Sequence, residues 1–98
     1  MNWLLTPEAE AELAEAVNFY AVNVSVKIAR NFLAQFEQKA GLLAEFPEID
    51  TPTTNGRRLL PTGRYPYSLL YRVDAGVARI SAVAAHARRP RYWQTRMP

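Results

Sequence analysis

The sequence contains no cysteine. That excludes a disulfide framework, a thiolate metal site and a cysteine nucleophile, and it fits a reducing compartment. Histidine occurs once, at His86, which is too few for a histidine metal cluster. No glycine-rich phosphate loop is present, so neither metal nor cofactor is expected. No apolar run approaches the roughly 20 residues that span a bilayer, so no membrane association is expected. The N-terminus has no basic stretch leading into an apolar one, as a secretory signal would. The expectation is a cytoplasmic protein. Acid is scarce in the second half, where Asp74 is alone against nine arginines from Arg57 to Arg96. Lysine is missing there altogether.

The first half has the opposite balance, with eight acids and three bases between Met1 and Gly56. A chain of net charge +3 divided in this way presents an electropositive face from its C-terminal part. Arginine brings a planar fork suited to phosphate or carboxylate, so an anionic or acidic partner is expected. At 98 residues and 49% hydrophobic content, the chain accommodates one compact domain spanning 1–98.

Asn2-Trp3-Leu4-Leu5 reads as a short first strand. Thr6 and Pro7 form a helix start: a hydroxyl cap followed by a proline where no N–H is needed. Glu8 and Glu10 suit the first turn. Leu13, Ala16, Val17 and Tyr20 recur at helical spacing, which predicts a helix to about Val22. Glu8, Glu12 and Glu15 share another face and read as solvated. Ser25 caps a second helix whose stripe runs through Ile28, Ala29, Phe32, Leu33, Phe36, Ala40 and Leu43. It ends near Phe46, before Pro47. Residues 48–56 carry loop chemistry. Strands are predicted over Arg57–Leu60, Tyr67–Val73 and Val77–Ala85, with a tight turn at Asp74-Ala75-Gly76. The fold class is therefore α+β: an N-terminal strand, a helical hairpin, then a three-stranded antiparallel meander, with both helices on one sheet face.

Within the meander Tyr67, Leu69, Tyr71 and Val73 share a face and read as core, which sends Arg72 to the other. Tyr65, in a turn, is the candidate for an exposed contact. Tyr92 and Trp93 suit stacking on a base, although a terminal tryptophan more often packs a tail onto its domain.

Three stretches carry a resemblance over nearly the whole chain. They are Thr6-Pro7-Glu8-Ala9-Glu10-Ala11-Glu12-Leu13 with Phe19-Tyr20; Arg57-Arg58-Leu59 leading to Tyr65-Pro66-Tyr67-Ser68-Leu69-Leu70-Tyr71-Arg72-Val73; and His86-Ala87-Arg88-Arg89-Pro90 with Tyr92-Trp93 and Arg96. Together they resemble the RelE/ParE toxins of type II toxin–antitoxin systems. The resemblance implies a small basic poison neutralised by a cognate acidic antitoxin in a hetero-oligomer, with operator DNA bound only through the antitoxin. RelE-like members cleave mRNA on the ribosome, whereas ParE-like members poison DNA gyrase. A ribonuclease of this kind places an arginine where this chain has Ser68, which points toward ParE. The alternative is a ribosome-dependent endoribonuclease using His86, Arg88 and Arg89, with Arg57 or Arg58 across the sheet. A third possibility is a non-toxic, antitoxin-binding relative. The expected target-binding residues are Arg57, Arg58, Arg64, Tyr65, Arg72, Arg88, Arg89, Tyr92, Trp93 and Arg96. Leu13, Val17, Tyr20, Phe32 and Phe36 are the expected antitoxin contacts.

Overall fold

The computed structural model describes residues 3–46, 51–52, 56–88, 92–93 and 96. Strand β1 (Trp3–Leu5) leads into helices α1 (Pro7–Asn23) and α2 (Val26–Glu45). Strands β2 (Thr51–Pro52), β3 (Arg58–Pro61), β4 (Tyr67–Asp74) and β5 (Val77–Ala85) follow. The sheet order is β1-β5-β4-β3-β2. β5, β4, β3 and β2 are antiparallel neighbours, and β1 adds to β5 in parallel. The expected α+β layer is present. The two-residue β2 lies in the segment expected to be loop. Among the described residues no helix is long and apolar enough to cross a membrane.

The helix starts follow local chemistry. The Thr6 hydroxyl accepts the Ala9 N–H at 3.2 Å, and the Ser25 hydroxyl accepts the Ile28 N–H at 3.1 Å. Each satisfies a donor that the first helical turn leaves open. The core between helices and sheet joins Ala9, Phe36, Ala40 and Leu43 to Leu60, Leu69, Tyr71, Ile80 and Val83. Trp3 closes one end against Phe36, edge to face at 5.5 Å. At the other end Phe32 and Tyr20 pack with Tyr65 and Tyr67, with ring centroids 5.1–6.3 Å apart.

A bulge divides β5. Tyr71 pairs with Ile80 and Leu70 with Ala82, which leaves Ser81 as the extra residue. The alternation therefore changes phase there. Ile80 and Val83 both face the helices, while Ala82 and Ala84 face away and form a second cluster with Leu70 and Trp93. Sequence periodicity did not anticipate this switch.

The β4–β5 hairpin closes through Ala75 and Gly76, both at positive φ (52° and 78°). This left-handed pair matches the twist of the flanking strands, but alanine adopts it at a cost of about 1 kcal/mol. Replacing Ala75 by Asn, which tolerates that region, is expected to raise unfolding stability by about 0.5–1 kcal/mol in urea titration. A stability decrease would show that the turn does not hold this geometry in solution.

Candidate functional site

β1 covers β5 only over Ala78–Ile80, and the Thr6 N–H makes the last bond on that side, to the Ile80 carbonyl. Beyond it β5 runs on to Ala85, and among the described residues no strand lies beside it on this edge. Helix α1 passes over the bare stretch and brings Glu12 to it. Glu12 Oε1 accepts the Val83 N–H at 2.9 Å and Arg96 Nη1 at 2.9 Å. Its Oε2 accepts the Tyr92 hydroxyl at 2.5 Å and Arg96 Nη2 at 3.0 Å. Arg88 approaches the same oxygen at 3.4 Å. Arg96 Nη1 also donates to the Ser81 carbonyl at 3.1 Å, on the bulge. A carboxylate from a helix and a guanidinium from the tail thus occupy polar groups that an adjoining strand would otherwise take.

The Glu12 side chain is 10% exposed and that of Arg96 21%, so this bidentate pair is sheltered from water. Burial opposes ionisation of Glu12, but the bonds from Arg96, Tyr92 and the Val83 N–H outweigh it and hold the carboxyl below its ordinary value. The same bond raises the Arg96 pKa, and burial together with Glu12 raises that of Tyr92. Arg88 stacks on the Tyr92 ring at 3.7 Å from its centroid, and Arg96 lies 5.1 Å from it. Glu8 and Glu15 are exposed as expected. Glu12 corrects the reading of that face as wholly solvated. Spacing along α1 could not reveal donors that lie 71 to 84 residues away.

The expected site residues divide into groups. Arg88, Tyr92 and Arg96 come together at the β5 edge. Arg89 lies outside the described residues. Trp93 packs on the sheet face away from the helices, 5% exposed, against Leu70, Ala82 and Ala84. This is the tail-packing alternative rather than a free stacking surface. Arg57 is buried beneath it, 5.9 Å from the Trp93 ring, with Nη1 3.5 Å from the Trp93 carbonyl. Burial and then the nearby charge of Arg72 lower the Arg57 pKa. An exposed role for Arg57 is thereby corrected. Arg72 and its register partner Arg79 lie on that same face, and the Arg72 guanidinium runs along Gly56, 3.8 Å from where a β-carbon would stand. Arg58 pairs with Tyr71 and so points to the helix side.

Tyr65 is also corrected. It turns inward, 8% exposed, onto Tyr20 and Phe32. The Thr62 hydroxyl, shared between the Tyr65 and Tyr67 carbonyls at 3.0 and 3.1 Å, braces the turn that points it there. Arg64 is exposed on the same turn, beside Asn31, Gln35 and Gln38 of α2 and apart from the tail arginines. Phe32 and Phe36 belong to the core, at 0% and 1% exposure. Leu13, Val17 and Tyr20 are half-buried on α1, next to Phe19, which is exposed.

His86 follows β5 at once. Its N–H bonds the Pro66 carbonyl, and Nε2 lies 2.8 Å from the Ser68 hydroxyl, itself buried. Ser68 pairs with Pro61 and Tyr71 with Arg58. His86 and the start of β3 are thus three residues apart along the ladder, about 10 Å.

Because the Glu12 carboxyl is held below its ordinary value of 4.5, the stability it adds is present above that pH. It is lost as pH falls through the lower, folded value. Acid should therefore release the tail before the core melts. Acrylamide quenching of Trp93, read in a Trp3→Phe background, is expected to rise as pH falls through that lower value while the helical signal persists. Glu12→Ala is expected to produce the same exposure at neutral pH and to lower stability by about 3 kcal/mol. Unchanged quenching in both would mean that the cluster does not hold the tail.

Residues 4–90 match the family model described as the ParE toxin of the type II toxin–antitoxin system parDE. Among solved structures, a chain of the chromosomal ParDE toxin–antitoxin system from P. aeruginosa superposes with a TM-score of 0.74 at 20% sequence identity. The match covers 87% of this chain and 95% of that one, and at such identity it establishes the fold. No curated protein matches. The family model spans nearly the whole chain, which therefore belongs to the ParE toxins of type II toxin–antitoxin systems.

Proposed function

We propose that this ParE family chain acts in the cytoplasm by binding and poisoning DNA gyrase, and that it does not cut RNA itself. The observation that carries the reading is the bond between Ser68 and His86. The strand position where a ribonuclease of this fold would hold a base carries a buried serine, and that serine engages the only histidine of the chain. Cleavage by a 2′-hydroxyl needs a base, an acid and a cation gathered on one phosphate. Here Arg57 sits under Trp93, Arg58 points to the helix side, and Arg88 and Arg96 are committed to Glu12 and Tyr92. What remains at the surface is a cationic and aromatic tail edge, suited to an acidic surface or to phosphates on the gyrase–DNA complex.

Neutralisation falls to a cognate acidic antitoxin. The half-buried Leu13, Val17 and Tyr20 with exposed Phe19 offer an apolar helix face for its flexible segment, which folds on binding. Phe32 and Phe36 support that face from within.

The test is a paired assay of toxin freed from its antitoxin, one arm following supercoiling by gyrase with ATP and the other mRNA integrity on programmed ribosomes. Lost supercoiling with intact mRNA is expected. His86→Ala should leave gyrase inhibition within about threefold, because His86 acts here as a local brace. Cut mRNA with unaffected gyrase, together with a loss of about 100-fold or more in His86→Ala, would overturn the reading in favour of a ribonuclease.

A further inference from the structure

We propose that Glu12 is a positioning residue for target recognition: from α1 it fixes Arg88, Tyr92 and Arg96 as one preformed surface along the β5 edge without itself touching the target. The inference rests on the gyrase reading for the identity of the target, and on the geometry alone for the role of Glu12.

Three observations carry it. First, Glu12 has no capacity left for a partner. Two carboxylate oxygens offer about four lone-pair sites. The Val83 N–H, both Arg96 nitrogens and the Tyr92 hydroxyl take them, with Arg88 at longer range. Second, the carboxylate is rooted in the rigid layer. Ala9 and Ala16 on either side of it along α1 are buried, and Val83, which it bonds, lies in the main core. It therefore ties the tail to the main core. Third, the partners keep their outward faces. Arg88 retains 49% side-chain exposure while stacked on Tyr92, so one guanidinium face is ordered yet accessible.

Arginine and tyrosine side chains that are already ordered lose less freedom on binding, and the affinity gained comes from that saving. The neighbouring acids cannot substitute. Glu8 and Glu15 share the helix face but are exposed, and of the three only Glu12 is among the described bonds to the stretch that β1 leaves bare.

The experiment uses the full chain released from its antitoxin and labelled with 5-fluorotryptophan, which reports Trp3 and Trp93 as two 19F signals. Trp3 reports the core and Trp93 the docked tail. For Glu12→Gln we expect the Trp93 signal to move toward its unfolded position while the Trp3 signal stays. The concentration that half-inhibits gyrase should rise about tenfold or more. Affinity for the antitoxin should change by less than about threefold, and Glu10→Gln, an exposed control, should behave as wild type. If Glu12→Gln loses the Trp3 signal as well, Glu12→Asp keeps the charge one methylene back and should give the same ordering at smaller amplitude. A released Trp93 with unchanged inhibition would overturn the proposal, and so would an unmoved Trp93. Wild-type chain without effect on gyrase would instead defeat the gyrase reading. The same variants are then ranked by growth arrest on induction, where Glu12→Gln equal to wild type overturns the positioning role.

Discussion

The far half of this molecule depends on one constraint: β5 is longer than the strand that covers it. β1 supplies three residues and β5 has nine, so backbone donors and acceptors past Ile80 need other partners. A buried N–H or carbonyl without a partner costs on the order of 1–3 kcal/mol. Glu12 and Arg96 answer that need, and they also join the first helix to the C-terminal residues. Tyr92 and Arg88 complete the contact, and Trp93 then settles over Leu70 and the small side chains of Ala82 and Ala84. The second hydrophobic cluster exists because the tail is held where it can form one.

This arrangement explains how described arginines of the basic C-terminal half are held against the domain. Its arginines serve three environments. Arg57 is buried with an aromatic ring above it, Arg96 is locked in a bidentate pair, and Arg88 is half in water. Of these three only the last is placed like an ordinary surface charge, a placement it shares with Arg64 on its turn. The division follows depth, because guanidinium tolerates burial when a plane or a fork receives it.

What the sequence made legible was whatever is encoded locally. Thr6 with Pro7 and Ser25 announced the helix starts because a cap needs only its next three residues. The meander was readable from alternation at Tyr67, Leu69, Tyr71 and Val73, and its turn from Asp74 to Gly76. The RelE/ParE resemblance rested on such stretches too, and the ParE family match agrees with it. Glu12 misled because it shares a helix face with two exposed glutamates and nothing nearby marks it as different. Tyr65 misled because a turn residue is usually outside, and only the brace at Thr62 turns it in. Arg57 was read as a contact because charge predicts exposure on average, and the tryptophan that covers it is 36 residues away.

The bulge at Ser81 bears on how this chain can change over time. Upstream of it odd-numbered residues of β5 look away from the helices, and downstream even-numbered ones do. A one-residue insertion there would send Ala82 and Ala84 into the space that Val83 fills and push Val83 beneath Trp93, whereas loss of Ser81 would leave a regular ladder with Ala82 still opposite Leu70. Within β5, therefore, the bulge is where the strand can lose a residue without changing which side chains face the helices. Length variation among descendants of this sequence should gather in the connections and, within this strand, at the bulge.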